Sequence, residues 1–344
     1  MTPDSYLHVL AAESYRPFAC RARSRVQLEA WQRSFRSHLR SLLGLDKITE
    51  RGLCDLFSHQ IGQEELDDHV REEWSIQSEP GFELTFYLLR PRNGQSPFPV
   101  VLTPHGHIHT GRRAYVGLWE SNEERREILS AEMDIALQAV REGYMAIAPD
   151  MRGFAALRRQ EDRDSDALCS CRTMQMHALL LGRTLVGERV WDVMRLIDYA
   201  VTRDDVDSTR IVVIGNSGGG TVSLYAAACD ERITAAVPSA SFCTLEDSIG
   251  SIWHCECNYV PGLLSAAEMA DVAGLIAPRP FLAVTGRDDP IFPYSGVLEA
   301  FAALQRIYEV ANAPERCRLY VGEGGHRHYQ AAVWPFVREV LERS

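Results

Sequence analysis

Lysine is almost missing from this chain: of its 36 basic residues only Lys47 is a lysine, and the rest are arginine. A bias in base composition explains that, and no functional weight is placed on it. An excess of positive charge is missing as well. The 47 acidic residues outweigh the basic ones and leave a net charge of −11, which excludes a surface built to grip phosphate backbones or anionic lipid. No run approaches the ~18 consecutive apolar residues needed to cross a bilayer. The opening Met1-Thr2-Pro3-Asp4-Ser5 has neither the basic patch nor the apolar stretch of a secretion signal. The expectation is a cytoplasmic protein with no nucleic-acid and no membrane partner.

What is present suits a globular enzyme. With 46% hydrophobic and 24% charged residues the chain is too apolar to be disordered, and 344 residues suffice for one large domain or two smaller ones. The nine cysteines are odd in number. Cys169/Cys171 and Cys255/Cys257 are spaced too closely for easy disulfides, so they read as reduced thiols.

Residues 1–70 lean helical. Val26, Trp31, Phe35, Leu39, Leu42 and Leu43 recur at three- and four-residue steps, as one buried helical face requires, and Gly44 is a plausible stop. From about residue 72 the pattern changes. Trp74–Gln77 and Glu83–Leu89 alternate like half-buried strands around Glu79-Pro80-Gly81. Short apolar runs follow at 99–102, 145–148, 211–214, 235–237, 281–284 and 317–321, separated by helix-like segments at 123–142, 186–202, 218–229, 294–312 and 328–342. Continuous apolar strands alternating with helices predict a mostly parallel central sheet flanked by helices on both faces. Residues 71–344 form the expected catalytic domain, and residues 1–70 a helical N-terminal extension packed on it. Two excursions, 154–185 and 240–278, interrupt the alternation and are expected to form the pocket.

Gly215-Asn216-Ser217-Gly218-Gly219 follows the run Ile211–Ile214 directly and precedes a helix-like stretch. A G-x-S-x-G turn between strand and helix resembles the nucleophile elbow of the α/β-hydrolases. The plainer reading is a glycine-rich strand–helix turn, and the downstream residues argue against it. A serine nucleophile needs a base, and the base an orienting carboxylate. The order in this fold is Ser, then Asp or Glu, then His. Strand 281–284 runs into Thr285-Gly286-Arg287-Asp288-Asp289-Pro290-Ile291-Phe292-Pro293, and the last strand into Gly322-Glu323-Gly324-Gly325-His326-Arg327-His328. The pattern G-x-x-D-x-x-x-P selects Asp289, with Asp288 as the runner-up. The Gly-His loop favours His326 over His328. Backbone N–H groups of Gly218 and of His107, in Thr103-Pro104-His105-Gly106-His107, are the expected oxyanion donors.

The sequence does not support a metal site. His105, His107 and His109 resemble the H-x-H-x-x-D of metallohydrolases, but Thr110 stands where that motif needs aspartate. Cys169, Cys171 and His177, with His254, Cys255 and Cys257, lack a strong zinc spacing. They read as buried thiols on a pocket wall, so no metal and no cofactor is expected. Candidate pocket residues are His105, Trp119, Trp253, Cys255 and Tyr259. Arg152, in Pro149-Asp150-Met151-Arg152-Gly153, reads mainly as loop scaffolding, with substrate contact as its alternative role.

From about residue 72 onward the chain resembles the dienelactone-hydrolase/acetyl-xylan-esterase-like bacterial branch of the α/β-hydrolases. The resemblance rests on His105-Gly106-His107, the elbow, the block from His254 to Leu264, Ile276-Ala277-Pro278-Arg279-Pro280 leading to Asp289, and Gly324-Gly325-His326. It implies hydrolysis of a small-molecule ester through an acyl-serine, without metal or organic cofactor. The nucleophile is serine, where dienelactone hydrolases proper use cysteine. Peptide, thioester, lactone or carbon–carbon bond cleavage on the same triad stays open, as does a ligand receptor of this fold. A homo-oligomer is also open, with the N-terminal helices as a dimer or lid element.

Overall fold

The short apolar runs become strands of one sheet in the computed structural model, which describes residues 2–342. Residue 1 and residues 343–344, the outer ends of the two expected segments, lie outside the described residues. The strands are β1 (His59–Glu65), β2 (His69–Glu79), β3 (Phe82–Pro91), β4 (Phe98–Leu102), β5 (Met145–Pro149), β6 (Val206–Asn216), β7 (Ala235–Ser239), β8 (Phe281–Gly286) and β9 (Cys317–Gly322). Their spatial order is β1-β2-β3-β5-β4-β6-β7-β8-β9. The β1-β2-β3 meander is antiparallel and β3 joins β5 antiparallel. Every pairing from β5 to β9 is parallel. The expected mostly parallel sheet is therefore present.

Period-two alternation assigns each central strand residue to one of two cores. Val100, Leu102, Ile147, Ile211, Val213 and Ala283 face the Leu185–Ala200 and Gly218–Cys229 helices. Val101, Ala146, Ala148, Val212, Ile214 and Val284 face the Ile135–Arg141 and Gln330–Glu342 helices on the opposite side. Both faces are covered, which is why these strands read as unbroken apolar runs.

The Arg25–Leu43 helix lies on the first face. Ser24 caps its start and Gly44, at φ 79°, ends it. Phe35, Leu39 and Leu43 are fully buried in the main core, each contributing roughly 1.5–3 kcal/mol of transfer free energy. Gln32 donates to the carbonyls of Gly274 (2.9 Å) and Ala277 (2.6 Å), and Arg36 to those of Ala228 and Leu275 (2.9 Å each). This helix is bonded to the sheet domain along its length.

Two local expectations differ from the structure. The first 70 residues are helical only as far as Thr49, because β1 then pairs with β2. β1 is exposed along nearly all its length, so its sequence has no buried face to produce alternation; ladder hydrogen bonds alone define it. The segment 123–142 is two helices, Asn122–Ser130 and Ile135–Arg141. Glu132, at φ 55°, turns the chain between them.

Candidate active site

β6 ends at Asn216 and a helix begins at Gly218, leaving Ser217 alone in the turn with φ 55° and ψ −121°. That conformation costs about 1–3 kcal/mol for a residue with a side chain. Packing enforces it. The Ser217 N–H donates to the Ser239 carbonyl at the end of β7 (2.8 Å), and the Thr221 N–H returns to the Ser217 carbonyl (2.9 Å). A Cβ on Gly219 would lie 2.0 Å from the Pro104 carbonyl oxygen. One on Gly106 would lie 2.9 Å from the Asn216 oxygen and 3.0 Å from the Gly218 nitrogen. The loop after β4 is thus pressed against the elbow, and only glycine allows the approach. Gly218 opens the helix, where N–H groups lack intrahelical acceptors, and His107 follows Gly106 in the same contact.

The carboxylate and imidazole meet above the ends of β8 and β9. Asp289 Oδ2 is 2.8 Å from His326 Nδ1. Its other oxygen accepts the N–H groups of Ile291 (2.8 Å) and Phe292 (3.1 Å), so the buried carboxylate is fixed on both sides. The two loops are also tied by their backbones. The N–H of Arg287 donates to Gly322 O (2.9 Å) and that of Asp288 to Gly324 O (2.8 Å). The Phe292 ring lies nearly parallel to the His326 ring, at 5.9 Å and 13°. His328 takes no part. It is fully buried with both ring nitrogens unpartnered among the described residues, and burial pushes its pKa down to about 3.

Ser217, His326 and His107 border one cleft of about 500 Å³, together with Trp253 and Cys255. The other four candidate pocket residues lie outside that lining. His105 is buried beneath it, ring against Tyr115 and Phe154, with its pKa lowered to about 3 by burial. Trp119 stacks under Arg125. The Tyr259 hydroxyl donates to the Ile249 carbonyl (2.9 Å).

Arg152 lies in the scaffold beneath the site and does not line the cleft. It is 5% exposed and bonds Asp192 through Nε (2.7 Å) and Nη2 (2.8 Å) and Glu79 through Nη1 (2.8 Å). Those partners lie far away in sequence, so the turn motif alone does not reveal them.

Ile108, Met133, Leu168 and Ile252, none of them among the sequence candidates, give the cleft its apolar lining. Ile108 directly follows His105-Gly106-His107, a signal that was readable; Met133 and Leu168 come from loops with no pattern. His254 also borders the cleft, its ring edge on Phe292, and burial lowers its pKa. The two cysteine pairs, read separately, converge on His107: Cys171 Sγ is 3.7 Å and Cys257 Sγ 3.8 Å from its Nε2.

This sheet, with a strained serine at the turn after β6 and a hydrogen-bonded Asp–His pair beyond β8 and β9, defines an α/β-hydrolase. A family model described as "Abhydrolase family" matches residues 13–331, and the chain belongs to that family. It is a hydrolase. Over 269 residues it is 27% identical to a protein named "Putative hydrolase YtaP" from Bacillus subtilis (strain 168), covering 76% of this chain and 84% of that one. Its fold is similar to that of a "putative acetyl xylan esterase" from Bacteroides fragilis, with TM-score 0.82, 17% identity, and 99% and 95% of the two chains covered. It is also similar to a glucuronoyl esterase from Teredinibacter turnerae, with TM-score 0.65, 17% identity, and coverage of 97% and 90%. At these identities the two solved structures speak for the fold. Among the described residues no helix is long and apolar enough to cross a membrane.

Proposed function

We propose that the protein is a serine esterase of the carboxylesterase or acetylesterase type, acting on small esters. The observation that carries this reading is the strained Ser217 facing the same cleft as a His326 already oriented by Asp289. Ser217 Oγ attacks the ester carbonyl as His326 takes its proton, and the tetrahedral oxyanion is held by the N–H groups of Gly218 and His107. Collapse expels the alcohol, protonated by His326. Water then attacks the acyl-serine by the same route and releases the acid. The apolar lining suits a short acyl group. Trp253, 89% exposed at the cleft, offers a flat face for a sugar-like alcohol. The esterase names of the similar structures support this choice of bond. Free thiols at all nine cysteines support a reducing, cytoplasmic setting.

The test is hydrolysis of p-nitrophenyl acetate by the wild type and by Ser217→Ala. The variant should lose on the order of 10⁴-fold or more in kcat, with unchanged thermal stability. Near-normal turnover refutes the assignment.

A further inference from the structure

A cluster of metal-ligating side chains sits beside the cleft and takes no part in the proposed triad. His107, Cys169, Cys171 and Cys255 each place one ligand atom within 4.8 Å of the others. Cys257 adjoins them, its Sγ 3.3 Å from that of Cys255. They arrive from three separate segments. His107 belongs to the loop pressed on the elbow, Cys169 and Cys171 to the first excursion, and Cys255 and Cys257 to the second. Cys169 pairs with Phe154 across an isolated bridge, Cys171 opens the helix Cys171–Leu180, and Cys255 precedes the turn Glu256–Asn258.

The charge around the cluster is the second observation. Arg189 is 1% exposed, and among the described residues no carboxylate is within ion-pair distance of it. Its guanidinium donates to the Arg152 carbonyl (2.9 and 2.6 Å) and to Cys171 Sγ (3.3 Å), and lies over the Phe154 ring. A buried cation needs a counter-charge, and the sulfur it touches belongs to the cluster. Burial by itself would keep those thiols neutral. A divalent cation among them reverses that preference, because each ligating thiol gives up its proton. Three thiolates, one neutral imidazole and a divalent ion carry a single negative charge, which Arg189 matches.

We propose that His107, Cys169, Cys171 and Cys255 form a closed tetrahedral site for zinc, with Arg189 as its counter-cation. Thiolates with an imidazole select a borderline-soft ion over calcium or magnesium. Zn–S bonds of about 2.3 Å imply ligand separations near 4 Å, so the cluster needs only a slight contraction. On binding, three thiol protons pass to solvent and four metal–ligand bonds form. The ion joins the oxyanion loop to both pocket-forming excursions. It binds His107 at Nε2 and so places the ring proton on Nδ1, which faces Gly218. With four protein ligands the site has no open position for water; it is a clamp on the pocket walls. The departure from the sequence expectation of no metal comes from bringing together residues that are far apart in the chain.

The test uses the full chain purified under reducing conditions. Elemental analysis should find about one zinc per chain. After removal by chelator, cobalt(II) should give thiolate charge-transfer and tetrahedral d–d bands that zinc abolishes. Cys169→Ser and Cys255→Ser should each weaken cobalt binding at least tenfold, whereas Cys20→Ser should not. Zinc should also slow alkylation of Cys169, Cys171 and Cys255 in the wild type, leaving Cys20 and Cys54 unaffected; this readout holds even if a variant fails to fold. Ser217→Ala should keep full zinc, so the metal site and the esterase reading fail independently. Absence of both zinc and a cobalt–thiolate spectrum overturns the proposal. So does undiminished metal binding in Cys169→Ser and Cys255→Ser, or a disulfide among these cysteines in the reduced preparation.

Discussion

Asp289 reaches His326 with a 2.8 Å hydrogen bond to Nδ1, while its chain neighbour Asp288 points to solvent. One residue of register separates a buried carboxylate, fixed by the N–H groups of Ile291 and Phe292, from a free one. Asp289→Asn should therefore lower kcat on p-nitrophenyl acetate by about 10³–10⁴-fold, because the amide no longer stabilises the imidazolium or its tautomer. Asp288→Asn should stay within about twofold of the wild type. Steady-state kinetics on both variants checks this. The reverse ranking would move the acid to Asp288.

Trp253 is the most exposed large side chain at the cleft. Trp253→Ala should raise KM for bulky or acetylated-sugar esters by several-fold to about tenfold, with kcat nearly unchanged, since stacking holds ground and transition state alike. For p-nitrophenyl acetate the effect should be small. A fall in kcat at constant KM would place Trp253 in the chemistry instead.

Arg152 holds Asp192 and Glu79 in a buried ion network that also includes Arg183, 2.6 Å from Glu79. Replacing it by methionine leaves those carboxylates short of a partner and should cost about 3–5 kcal/mol. Denaturant unfolding measures the loss, and KM on the folded variant should match the wild type. Normal stability with a raised KM would restore Arg152 to the substrate site.

His105 and His328 are both held near a pKa of about 3 by burial, far below the ordinary 6.5. The unfolded chain therefore takes up these protons first as pH falls. Their neutral form supports the fold fully above about pH 6.5, and that support drains as pH drops toward 3. Each should forfeit about 2 kcal/mol between pH 7 and pH 5. Neither ring nitrogen of His328 has a partner among the described residues, so His328→Leu removes one such proton without breaking a ring hydrogen bond. Its unfolding free energy should vary less between pH 7 and pH 5 than that of the wild type. Identical pH dependence would contradict the assignment.

The elbow was legible because its chemistry needs consecutive residues: a strand, a glycine-flanked Ser217 and a helix follow one another in the sequence. The Asp289 and His326 loops were legible for the same reason, each closing its own apolar strand. The two-sided core followed from unbroken apolar runs. β1 was not legible, because an exposed edge strand carries no apolar period. The scaffold partners of Arg152 were not legible, because Glu79 and Asp192 come from β2 and the Leu185–Ala200 helix. The thiol cluster was hidden most deeply. Its contacts with His107 span 64 and 150 residues of chain, a distance over which spacing rules have no force.

The proposed esterase requires that Ser217 be a nucleophile made competent by its setting. Reaction of the full chain with a fluorophosphonate, followed by intact and peptide mass spectrometry, addresses it directly. One adduct per chain is expected, on Ser217, with esterase activity lost in proportion to labelling and no adduct on Ser217→Ala. Continued ester hydrolysis by an enzyme that Ser217 labelling has saturated would contradict it.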